Sequence, residues 1–77
     1  METRDLCQEL LDQVVDQLPG DREAALGLAA LGAFHPDEVG VFIAEAVALL
    51  VRHGRTLPPH LAVEVNRRML TATQGPQ

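Results

Sequence analysis

Three histidines, one cysteine and eleven carboxylates are the side chains of this 77-residue chain whose chemistry extends to metal binding, nucleophilic attack or proton transfer. Their spacing assembles none of the three. The pairs that chelate a metal from one helical face, Glu-x-x-His and His-x-x-x-His, do not occur, and Gly54 and Pro58-Pro59 separate His53 from His60, so no helix presents both. These two histidines read instead as exposed helix-end residues, His53 beside a C-terminus whose dipole favours a protonated imidazole. Glu45 is the acid to inspect first, because it interrupts an apolar run and a buried carboxylate has a raised pKa. General acid–base chemistry needs a second group and a pocket, however, and Glu38, Glu45 and Arg52 recur every seven residues, which reads as one solvated edge of a helix. Cys7 falls in the first turn of a helix, where the dipole can activate a thiol, but also in that helix's apolar sector, so it is expected to pack as a small hydrophobe.

Absent residue types narrow the chemistry further. The chain has no Ser, no Lys and no Tyr. That removes a serine nucleophile, a Schiff-base lysine, a phosphate-cradling loop ending in Lys and Ser/Thr, and a phosphopantetheine-bearing serine. The sequence thus predicts no catalytic, cofactor-binding or metal-binding residue and no cofactor. With every basic residue an Arg, and with abundant Ala, Gly, Val and Leu, the composition points to a GC-rich coding sequence of bacterial or bacterial-virus type.

The formal net charge of -5 argues against a general affinity for nucleic acid, which comes from neutralising phosphates. Its distribution is uneven. Up to Glu38, Arg4 and Arg22 stand against nine acids; beyond it, Arg52, Arg55, Arg67 and Arg68 stand against Glu45 and Glu64. An acidic helix lying beside a basic one accounts for this asymmetry without a partner. The alternative is a helix-turn-helix-like DNA-binding regulator, in which the last helix presents His60, Glu64, Arg67 and Arg68 to a groove while Arg52 and Arg55 contact phosphates. The acidic total, the two-proline loop and Glu64 within the reading face all count against it.

Cys7 has no second cysteine to pair with, which suits a reducing cytoplasm. The first residues are polar and acidic, unlike a secretory leader, and the apolar stretch Val39 to Val51 is broken by Glu45 and shorter than the roughly 20 residues that cross a bilayer. A cytoplasmic protein with no membrane partner is the expectation.

The elements that position these groups are predicted to be helices throughout. Hydrophobic residues make up 47% of the chain but aromatic ones 3%, and a filling of Ala, Val and Leu suits closely spaced helices better than strands. The first helix should start near Thr3 or Asp5 as cap and stop at Leu18 before Pro19-Gly20, with Leu6, Leu10, Val14 and Leu18 along one edge and Cys7, Leu11 and Val15 widening the apolar sector. The second should run from an Asp21 cap to Leu31, with Gly32 as its stop; Gly27, Ala29 and Ala30 suggest close approach of a neighbouring backbone. The third should start at Pro36, capped by His35 and stapled by Phe34, and end near His53 before Gly54. The fourth, opened by Pro58-Pro59, should reach about Thr71, with Leu61, Ala62, Val65 and Met69 on its main face and Val63 and Leu70 on the other.

These predictions sum to an all-α fold, a compact four-helix array with a central apolar third helix, forming one domain over residues 1–72 with a flexible tail at 73–77. The third helix is apolar over most of its circumference and should need covering on nearly all sides. Three short neighbours leave apolar surface to spare. A non-catalytic protein-interaction module, a regulatory or adaptor subunit that self-associates as a homodimer or binds another protein, is the function this surplus implies. The expected contact anchors are Leu6, Leu10, Leu11, Val14, Val63 and Leu70, with Arg52, Arg67 and Arg68 selecting an acidic partner.

Overall fold

A computed structural model describes the backbone of residues 2–73 and side chains through Met69. Among the described residues the chain forms four helices, α1 (Thr3–Gln17), α2 (Arg22–Phe34), α3 (Val39–Arg52) and α4 (Pro59–Thr73), and no strand. The fold is all-α, as the composition requires.

Local chemistry sets most of the boundaries. Asp21 caps α2 by accepting a hydrogen bond from the Ala24 amide at 3.2 Å. Gly54, at φ +70, ends α3 in the left-handed conformation. The Arg55 amide then reaches the Leu50 carbonyl at 2.8 Å and the Gly54 amide reaches that of Val51 at 3.0 Å, the paired bonds of a Schellman stop. Pro59 takes the first position of α4, where its missing amide costs nothing, and the amides of Leu61 and Ala62 bond to the Pro58 carbonyl.

Four boundaries differ from the sequence reading. Thr3 lies inside α1 and does not cap it; the flanking residue is Glu2, which makes no side-chain cap bond. The second helix continues through Gly32 to Phe34, because packing of Leu31 and Gly32 outweighs glycine's intrinsic cost. His35, Pro36 and Asp37 consequently form the turn between helices, and α3 starts at Val39 with Glu38 before it. Phe34 staples nothing: it is 79% exposed. At the far end α4 extends to Thr73, the first residue of the predicted 73–77 tail, and residues 74–77 lie outside the described residues.

The core joins all four helices. Leu6, Leu10, Val14 and Leu18 from the first segment meet Phe42, Ile43, Ala46 and Leu50 of α3, with Leu28 of α2 and Leu61 and Val65 of α4 completing it. The expected central helix, α3, shares the middle with α1: each touches all the other helices, and their mutual contact is the most extensive. α2 and α4 lie on the two flanks of this pair and, among the described residues, make no contact with each other. At Gly32 α2 comes close to α3, since a methyl group built there would lie 3.1 Å from the Phe42 ring.

This layout corrects the expectation that α3 is covered on nearly all sides. The molecule measures 41 × 28 × 21 Å. Its shortest dimension is about two helix diameters, so every helix has a face turned to water. On α3 that face carries Gly40, Val41, Ala44, Glu45, Ala48, Val51 and Arg52.

Candidate interaction surface

Each of the three histidines lies near a carboxylate, a pairing that helical spacing alone did not bring out. His53 Nε2 is 3.4 Å from Asp21 Oδ2, joining the end of α3 to the start of α2; His60 Nε2 is 3.8 Å from Glu9 Oε2, joining α4 to α1; and His35 Nδ1 is 3.9 Å from Glu38 Oε2 across the α2–α3 turn. These are isolated pairs. Among the described residues no group of three or more His, Cys, Asp or Glu side chains could hold a metal ion. Glu45 is exposed on the outer side of α3.

Cys7 packs against the core without being sealed in it. Burial pushes its thiol above the ordinary value, and the nearby Arg68 guanidinium pulls the other way with less effect. The thiol opens on a shallow depression of about 450 Å³ between α1, α2 and α3, where Leu11, Val39 and Phe42 form the apolar floor and Arg4, Gln8 and His35 the rim. A raised pKa gives the sulfur less thiolate character at neutral pH than an exposed cysteine has.

Two of the four arginines of the basic cluster, Arg67 and Arg68, are engaged within the chain. Arg67 Nη1 lies 3.2 Å from Glu64 Oε1. Arg68 Nη1 donates to the Thr3 hydroxyl, tying α4 to the first turn of α1, and its charge also faces Cys7. Thr3 thus acts as a cross-helix acceptor, a role that its position near a helix start disguised as capping. Arg52 and Arg55 are exposed at the C-terminal end of α3.

Of the expected contact anchors, Leu6, Leu10 and Val14 are each 0% exposed and form the centre of the core, so on the folded chain they present no area to a partner. Leu11 is half-buried and packs against that core. Val63 faces solvent. The side chain of Leu70 lies outside the described residues. The reason for the displacement is simple: α1's apolar stripe was the best available cover for α3 and was used for it.

Val15 of α1 and Val63 of α4 are single exposed apolar side chains, whereas α2 and α3 expose several each. Leu26 is 69% exposed, Val51 66% and Val41 48%, and Ala30, Ala33, Ala44 and Ala48 are exposed as well. The two helices are continuous on this side. Gly27 and Leu31 of α2 and Val41, Glu45 and Leu49 of α3 line one open depression of about 440 Å³. The order of their contacts, Gly32 against Phe42 near the turn and Ala24 with Leu49 in that depression, makes α2 and α3 an antiparallel hairpin with one flank on the core and one in water.

Compared with protein-family models, with curated proteins and with solved structures, the chain matches none. Among the described residues no helix is long and apolar enough to cross a membrane.

Proposed function

We propose that this chain is a non-catalytic interaction module, a regulatory or adaptor subunit of the cytoplasm that associates with itself. The observation that carries this reading is the outer flank of α3, where Val41, Ala44, Ala48 and Val51 stay in water although the opposite flank forms the core. Exposed apolar area carries a free-energy cost of about 25 cal/mol per Å², and a contiguous patch on a small domain is the usual mark of a binding face. Arg52 at one end of this flank supplies the positive charge that favours an acidic partner.

Light scattering across a dilution series tests the self-association. The expected result is a mass of two chains at micromolar concentration that falls to one on dilution. One chain at every concentration would end this proposal. DNA recognition through α4 draws less support, because Glu64 engages Arg67 and Thr3 engages Arg68. Retention on a nonspecific duplex at low salt, lost steeply as salt rises, would reverse that preference.

A further inference from the structure

We infer that the second copy docks along the outer flank of α3, antiparallel and related by a twofold axis, so that Val41 of each chain meets Val51 of the other and Ala44 meets Ala48. This rests on the self-association proposed above and specifies its surface and geometry. The exposed residues Val41, Ala44, Ala48 and Val51 succeed one another at intervals of three, four and three, the spacing of a two-helix seam. Their order is the same read in either direction. A twofold interface must complement itself, and this palindrome sets valine against valine at the two ends and alanine against alanine at the axis, where small side chains let the helices approach closely.

Side-chain size fits a parallel pair equally well, so charge decides the direction. Glu45 and Arg52 of α3, and Glu38 at the position just before it, are all exposed and recur every seven residues along one edge of the seam, with His35 3.9 Å from Glu38 at its N-terminal end. In the antiparallel pair Glu38 lies opposite Arg52 at both ends, while Glu45 lies opposite its own copy at the axis; two attractions stand against one repulsion. In the parallel pair that edge faces Gly40 and Val47, which offer no charge in reply, and like ends of the helix dipoles are brought together. Complementary ends and opposed dipoles both select the antiparallel arrangement.

Sedimentation equilibrium of the full chain and its variants tests the assignment, with circular dichroism confirming that each variant is folded. Val51→Glu puts a charge into the seam and should raise the dissociation constant roughly tenfold or more with helicity unchanged. Glu38→Arg and Arg52→Glu should each weaken association, and the two together should restore it, since the opposed charges are then exchanged. Glu45→Gln should tighten it. In a Cys7→Ala background, mixing Val41→Cys chains with Val51→Cys chains should give the mixed disulfide in preference to either homodimer.

A dimer whose dissociation constant ignores Val51→Glu and the charge exchange would overturn this interface while leaving self-association standing. Preferential Val41→Cys homodimers would overturn the antiparallel direction. A wild-type chain that stays monomeric throughout the concentration range would remove both this inference and the proposal beneath it.

Discussion

Gly27 and Gly32 belong to the same 13-residue helix, yet their surroundings give them opposite expected behaviour. A methyl group at Gly27 meets nothing within 4 Å, so Gly27→Ala should stabilise the chain by about 1 kcal/mol through helix propensity alone. At Gly32 the same methyl group would stand 3.1 Å from the Phe42 ring, and displacing a packed ring costs about 1–3 kcal/mol, more than the propensity gained. Urea denaturation midpoints should therefore rise for Gly27→Ala and fall for Gly32→Ala. Equal rises would mean that Phe42 is not held against α2. Cys7 carries the residue-scale pH dependence. Its folded pKa is raised, so the neutral thiol belongs to the folded state; the associated stability is complete below the unfolded value of about 9 and is lost as pH climbs through the folded one. Alkylation of the native protein should lag behind that of the urea-unfolded chain, and the unfolding free energy of wild type should fall relative to Cys7→Ala above that pH. A native thiol that reacts as fast as the unfolded one would contradict the burial assigned to it.

Helix ends show how much of an element is decided by two or three residues. Asp21 satisfies an amide at the start of α2 that nothing else reaches, so Asp21→Ala should cost about 1 kcal/mol. At the C-terminus of α3, Gly54→Ala forces a side chain into the left-handed region, with a penalty of about 1–2 kcal/mol. Thermal unfolding of the two variants measures both, and no loss on Gly54→Ala would show that α3 ends by another device. These signals were legible in the sequence because they act over three or four residues. Gly32 was not legible in the same way. A glycine after an apolar segment is as consistent with a stop as with a close packing point, and the ring that distinguishes the two arrives from another helix.

For the whole molecule, the contrast to measure is between the buried stripe of α1 and the exposed positions outside it. Leu10 sits at the centre of the core, and Leu10→Ala should destabilise by about 2–5 kcal/mol. That is a large part of what a chain of this length has, roughly 4–12 kcal/mol at the usual stability per residue. Val63→Ala, on an exposed face of α4, should stay within about 0.5 kcal/mol of wild type. Guanidinium titrations of both compare the two surfaces directly. A mild Leu10→Ala together with a severe Val63→Ala would mean that α1 and α4 had been given the wrong faces.

Pro19-Gly20, Asp21, Gly54 and Pro58-Pro59 marked the breaks between helices, and the recurrence of Leu6, Leu10 and Val14 marked which edge of the first helix seeks burial. Those properties are local, set by backbone sterics, amide satisfaction and a 3.6-residue period, and the sequence alone determined them. It did not determine what would cover what. Periodicity states that a face prefers to leave water but names no neighbour, and α3 offered more apolar circumference than three helices in a molecule 21 Å thick can enclose. The tertiary packing spent α1's stripe on the core and left Val41, Ala44, Ala48 and Val51 outside it, so the uncovered surface was decided by the competition among helices for one another.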